Sequence, residues 1–215
     1  MAAELHGRVA LVVGAGSALG AAAARALGAA GARVAVNDWS DSAAERVAAE
    51  LAAAGGEALA CAADASKKLA LQTVVEDVLA AWGQIDVLVN ASAVEPRASL
   101  LAMDEWDWRR ALDLNLSSAF TATQVLGRVF KEAGSGVILN VVAPEAAAAI
   151  SPAYATAAGG VRALTVAAQR ELEEHGIRVH LIESKPEDLG ESLVELAARG
   201  MSAPADTQIG ANDGG

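Results

Sequence analysis

The chain has 215 residues, 16 Lys and Arg against 27 Asp and Glu for a formal net charge of -11, and 53% hydrophobic residues. That length suits one domain with a full-sized core. The negative balance, with no basic cluster interleaved with aromatics, argues against a nucleic-acid partner, and no uninterrupted apolar stretch reaches membrane-spanning length.

The opening residues, Met1 to His6, lack the basic region of a secretory signal and run straight toward a strand, so the expected compartment is the cytoplasm. A strand is predicted at Val9 to Val13, then the turn Gly14-Ala15-Gly16-Ser17-Ala18-Leu19-Gly20, then a helix at Ala21 to Ala30. A glycine-rich turn between strand and helix can present backbone N–H groups to a pyrophosphate. The second strand, Val34 to Val36, is followed by Asp38, about 20 residues beyond the turn, where a carboxylate accepts from ribose hydroxyls and repels a 2′-phosphate. The nucleotide expected here is therefore NAD rather than NADP.

Further along, a helix at Ala43 to Ala54, a strand at Ala58 to Ala62, a helix at Leu69 to Trp82 and a strand at Val87 to Val89 continue the alternation. A long helix at Glu105 to Phe130, a strand at Val137 to Val142, a helix at Ala155 to Glu174 and a strand at Val179 to Ile182 complete it. The first three helices end near Gly31, Gly55 and Gly83, as helix C-termini favour. Short apolar strands alternating with helices specify an α/β fold, a Rossmann-type doubly wound parallel sheet in three layers, as a single domain over residues 1–215. Such sheets bind ligands beyond the carboxyl ends of their strands.

The single cysteine, Cys61, reads as a small buried thiol in a strand and has no disulfide partner. His6, His175 and His180 have no Cys or carboxylate at ligand spacing, so no metal site is expected. Trp106 and Trp108, at the start of the long helix, read as packing residues.

The glycine run, Asp64 after the third strand, Leu88-Val89-Asn90-Ala91 after the fourth, Trp106 with Leu114-Asn115-Leu116, Tyr154 before a long helix and the final Asp213-Gly214-Gly215 together resemble the short-chain dehydrogenase/reductase family. The closing residues are similar to the last strand of bacterial oxoacyl reductases, and the resemblance spans nearly the whole chain. It implies that Gly14, Gly16, Ser17, Leu19, Gly20 and Asp38 hold a dinucleotide, that Asp64 and Ala65 hold its adenine, and that Asn90 stabilises the sheet beside it. It also implies an acid–base role for Tyr154 and a proton-relay water organised by Asn115.

The same comparison exposes departures. Ala18 and Ala93 stand where the family carries glycines against the cofactor, which points to weak or lost NAD binding. Ala143 replaces the serine that grips a substrate carbonyl, and Ala158 replaces the lysine that lowers the tyrosine pKa. Ser151 is the one nearby hydroxyl able to substitute. After residue 183 the chain passes almost directly into its last helix, as though the substrate lid were deleted. Without the cation, a phenol with a pKa near 10 is ionised in about one molecule in a thousand at neutral pH. Lost acid–base catalysis costs about 10²–10⁴ in rate and a lost carbonyl donor about 10²–10³.

Three readings follow. The first is a non-catalytic subunit of a hetero-oligomer, paired with an active NAD-dependent member of the family that acts on hydroxyacyl or oxoacyl thioesters. The second is an active oxidoreductase with an atypical relay through Tyr154, Asn115 and Ser151; the third, a nucleotide-sensing binding protein.

Overall fold

The computed structural model describes residues 5–144 and 151–202. Strands β1 (Val9–Val13), β2 (Arg33–Asp38), β3 (Ala58–Ala62), β4 (Val87–Asn90), β5 (Gly136–Val142) and β6 (Ile177–Glu183) form one sheet. Their order is β3-β2-β1-β4-β5-β6, and every neighbouring pair is parallel. Helices α1 (Ala18–Ala29), α2 (Asp41–Ala53), α3 (Lys68–Trp82), α4 (Glu105–Leu112), α5 (Ser118–Ala133), α6 (Pro152–Leu172) and α7 (Leu189–Ser202) connect and cover the strands.

Alternation along each strand divides the core in two. Ala10, Val12, Val34 and Val36 meet Leu19 and Leu27 of α1, Val47 of α2, and Leu189 and Leu193 of α7 on one face. Val9, Leu11 and Ala35 meet Leu71 and Val75 of α3 and Leu126 and Phe130 of α5 on the other. Both faces being covered explains why the strands read as continuous apolar runs. The strand order reverses beside β1, which opens a crevice at the carboxyl ends of β1, β2 and β4.

Two helices begin three residues earlier than the apolar pattern alone indicates, because of their caps. Ser17 accepts from the Gly20 N–H, so α1 starts at Ala18. Ser151 accepts from the Tyr154 N–H and Pro152 occupies the first helical position, so α6 starts three residues before the predicted Ala155. Tyr154 therefore lies inside the first turn of α6 rather than before the helix. The predicted single helix over Glu105 to Phe130 is α4 and α5 joined by a π-type turn, Asp113–Ser117. The extra residue in that turn re-aims Asn115, as such bulges do.

Residues 184–188 alone join β6 to α7. The predicted terminal strand at Asp213 to Gly215 lies outside the described residues. Among the described residues no helix is long and apolar enough to cross a membrane, and no cluster of His, Cys, Asp and Glu could hold a metal ion. Cys61 is buried, and burial foremost, with the Asp77 carboxylate second, pushes its thiol up to about 11.

Candidate nucleotide cleft and the site around Tyr154

The crevice is a cleft of about 290 Å³. Gly14, Gly16 and Ser17 of the first turn wall it, together with Asp38, Trp39, Ala65 and Ser92. Gly14 has φ 75, and a side chain there would run into Ser92 of the segment after β4, so this position requires glycine. The turn is tied down from within. Ala15 N–H donates to the Asn37 carbonyl at 2.9 Å, Ser17 N–H to that of Gly14 at 3.0 Å, and Ser17 Oγ to that of Ala91 at 2.7 Å.

The predicted phosphate-facing residues therefore divide by role. Gly20 N–H is taken by the Ser17 cap, and Gly16 N–H donates to Asp38 Oδ2 at 2.9 Å. Helix geometry leaves the N–H groups of Ala18 and Leu19 without intrahelical acceptors at the positive end of the α1 dipole. The Leu19 side chain is buried in the core, so only its backbone is available to a ligand. Ala18 is exposed and is not a wall of the cleft. Ala93 does wall it.

Asp38 is 6% exposed, and its Oδ1 accepts from the Ser40 N–H at 2.9 Å. An ionised carboxylate has about four acceptor positions. With two engaged, each oxygen keeps one for a ribose hydroxyl. Trp39 is 53% exposed at the rim, with the Arg110 guanidinium 4.3 Å from its ring centroid and 5.1 Å from that of Trp106. Trp106 is thus not a core packing residue: it is itself exposed and holds Arg110 against Trp39. Ala65 walls the cleft, and Asp64 Oδ1 accepts from Ser66 N–H at 2.9 Å and Ser66 Oγ at 2.7 Å in the β3–α3 turn. The residues present fit the adenosine and diphosphate portion of a dinucleotide.

At the far end, Asn90 Nδ2 donates to Asn140 Oδ1 at 2.8 Å, and Asn140 Nδ2 donates to Thr165 Oγ1 at 2.8 Å. This buried chain joins β4, β5 and α6 through Asn90 and two residues that no sequence motif marked. Asn115 is not satisfied within its helix. Its Oδ1 accepts from the Val94 N–H at 2.8 Å and its Nδ2 donates to the Val94 carbonyl at 2.7 Å, clamping the segment after β4.

Tyr154 is 4% exposed and packs with Ala119, Val142, Ala158 and Val161. Its phenol oxygen accepts from the Ala143 N–H at 3.0 Å. Burial foremost raises its pKa; the Ala143 hydrogen bond opposes this, the Glu95 carboxylate raises it further and the Arg162 cation lowers it. Ala158 contributes a methyl to the same apolar cluster, and the space among Asn90, Ser92, Asn115, Tyr154 and Ala158 is only about 10 Å³, the volume that admits about one water. Ser151, the substitute hydroxyl, caps α6 by accepting from the Tyr154 N–H, and its own N–H donates to Glu95 Oε1 at 2.9 Å.

The model of the short chain dehydrogenase family matches residues 8–186. The chain belongs to the short-chain dehydrogenase family. It is 36% identical to a D-threitol dehydrogenase of Mycolicibacterium smegmatis over 181 residues, 83% of this chain and 70% of that protein. It is 31% identical to the subunit BbsD of a (2S)-[(R)-hydroxy(phenyl)methyl]succinyl-CoA dehydrogenase of Thauera aromatica, over 83% of this chain and 72% of that protein. A metagenomic short-chain oxidoreductase solved in complex with NADP superimposes with a TM-score of 0.81 at 32% identity, covering 90% of this chain and 91% of that one. The family binds NAD or NADP, and the short-chain dehydrogenase turn, Asp38 and Ala65 stand around the cleft of this member as a dinucleotide site requires.

Proposed function

We propose that this chain is a non-catalytic short-chain dehydrogenase subunit that assembles with an active NAD-dependent member of the family acting on hydroxyacyl or oxoacyl thioesters. One observation carries the reading: the Tyr154 phenol is an acceptor sealed in an apolar cluster, with alanine at 143 and 158. A nicotinamide dinucleotide supplies hydride transfer when bound, but the proton on the substrate oxygen needs a side chain with a matched pKa. Here burial keeps the phenol protonated, no hydroxyl stands at position 143, and no cation at 158 draws the phenol toward ionisation. In the alternative relay Asn115 and Ser151 would act while also holding backbone groups of the segment after β4 and of the α6 start.

Assembly is supported by a groove of about 480 Å³ between α5 and α6, walled in part by Phe120, Gly127, Leu164 and Leu172. Phe120 and Val166, both half exposed, leave apolar area on those two helices that a partner's helices could bury. The thioester class rests on the likeness to BbsD, itself a subunit of a CoA-thioester dehydrogenase. Nucleotide holding is the part of the ancestral function that the cleft favours, and Asp38 favours NAD over NADP.

The test is co-expression of the tagged chain with the products of its neighbouring genes, followed by native mass spectrometry and turnover assays. The reading expects a mixed oligomer, activity that depends on the partner's tyrosine, and none that depends on Tyr154. Turnover by the homogeneous chain, lost on Tyr154→Phe, contradicts it.

A further inference from the structure

Trp39 follows Asp38 at the end of β2, walls the cleft and is 53% exposed. The backbone that carries it is fixed on both sides. Asn37 Nδ2 donates to the Cys61 carbonyl at 2.9 Å and to the Ala63 carbonyl at 3.1 Å, and Asp38 accepts from the Gly16 and Ser40 N–H groups. Arg110 reaches the indole from α4, and its guanidinium lies 4.3 Å from the ring centroid, within cation–π range. Trp106, one helical turn before Arg110, supports the same guanidinium at 5.1 Å. Arg109 pairs with Glu105, whereas among the described residues no carboxylate pairs with the Arg110 guanidinium, which lies against the two rings. Arg110 covers one face of Trp39, yet more than half of the residue is open. The ring edge alone does not supply that much surface, so the opposite face is free.

We propose that the open face of Trp39 is the platform on which the base of the bound adenine nucleotide stacks, and that Arg110 is the positioning residue that holds this platform. The inference rests on the nucleotide reading above and names the residues that grip the base within it. The base is attached to the ribose carbon next to the one bearing the 2′-hydroxyl, so a ribose held by Asp38 carries its base within reach of the following residue. The diphosphate has its own donors in the N–H groups of Ala18 and Leu19, which leaves the base as the part of the nucleotide that needs an apolar surface. Ala63, Ala65 and Leu114 wall the same cleft with apolar side chains, which suit a flat heterocycle. An aromatic face attracts any base through its π surface. An indole pinned by a cation before the ligand arrives gives up less rotamer freedom on binding, so Arg110 adds affinity without touching the nucleotide.

The experiment titrates the full chain calorimetrically with ADP-ribose, which carries the adenosine and the diphosphate without the nicotinamide, after circular dichroism has shown each variant folded. Trp39→Ala is expected to weaken binding by about five- to 150-fold. Trp39→Phe keeps a π face and stays within about fivefold of wild type. Trp39→Leu keeps apolar bulk alone and binds about two- to tenfold more weakly than Trp39→Phe, a difference that a merely structural role does not produce. Should Trp39→Ala not fold, Trp39→Leu and Trp39→Phe carry the same comparison. Arg110→Ala weakens binding by about two- to tenfold and adds nothing in a Trp39→Ala background, because it acts through the ring. Binding by folded Trp39→Ala within about twofold of wild type, or equal binding by Trp39→Leu and Trp39→Phe, overturns the proposal and leaves the nucleotide reading standing. An Arg110→Ala loss that persists undiminished in the Trp39→Ala background overturns the positioning role. No saturation of the wild type by ADP-ribose overturns the nucleotide reading together with the proposal.

Discussion

Returning a lysine to position 158 tests how closed the site around Tyr154 is. Ala158 is 4% exposed, its methyl lies in a cluster with Tyr154, Val142 and Val161, and the adjoining space is about 10 Å³. Ala158→Lys adds three methylenes and an ammonium beyond Cβ to a space suited to about one water. Overpacking costs about 1–3 kcal/mol. Forcing the amine from a pKa near 10.4 to about 7 adds roughly 4–5 kcal/mol at about 1.36 kcal/mol per unit, less whatever the flexible stem recovers by reaching water. A net loss of about 2–6 kcal/mol lowers the melting temperature by roughly 5–20 °C in a chain of this length. Thermal melts followed by circular dichroism measure it, with Ala158→Ser as the small-volume control. If Ala158→Lys melts within about 2 °C of wild type, room for the cation exists and the closed-site reasoning is refuted.

Three further outcomes follow from the same geometry. Asp38→Asn removes the carboxylate facing the ribose and raises NADP affinity relative to NAD by about tenfold, worth about 1.4 kcal/mol, as read by tryptophan quenching. Gly20→Ala drives a methyl into the Gly14 carbonyl and Ala15 backbone and destabilises by about 3 kcal/mol. Gly127→Ala meets only Leu172 methyl groups at 3.7 and 3.8 Å and is neutral or slightly stabilising, so paired urea melts separate the two. His180, on β6, has its pKa lowered first by burial and then by the Arg178 cation. Its neutral form therefore contributes stability that is present above the unfolded value near 6.5 and lost as pH falls below it. The difference in stability between pH 7.5 and 5.5 should shrink in His180→Gln.

Much of this architecture was legible because each strand is an apolar run bounded by turn residues; β1 at Val9–Val13 and β3 at Ala58–Ala62 match the pattern at both ends. Helix starts were less legible, since Ser17 and Ser151 act through single hydrogen bonds to N–H groups three residues on, which an apolar period does not register. The extra residue at Asp113–Ser117 was invisible for a similar reason: one inserted residue shifts the period too little to see, yet it turns Asn115 onto Val94. Within the site, glycine spacing and Asp38 located the cleft. Asn37 carried one unused signal, a polar side chain in the apolar run Val34-Ala35-Val36. The stack of Arg110 between Trp39 and Trp106 joins positions far apart in sequence, and the bland reading of Trp106 as packing followed from aromatic burial in general.

The protonation state of the chain's single tyrosine bears most directly on the proposal that this chain is non-catalytic. Phenolate absorbance of the folded protein, followed against pH with and without NADH, should show one transition above about pH 10, in keeping with the burial of Tyr154. A midpoint below about pH 8, or a drop of that size when the dinucleotide binds, would make the phenol a competent acid–base group and contradict the account.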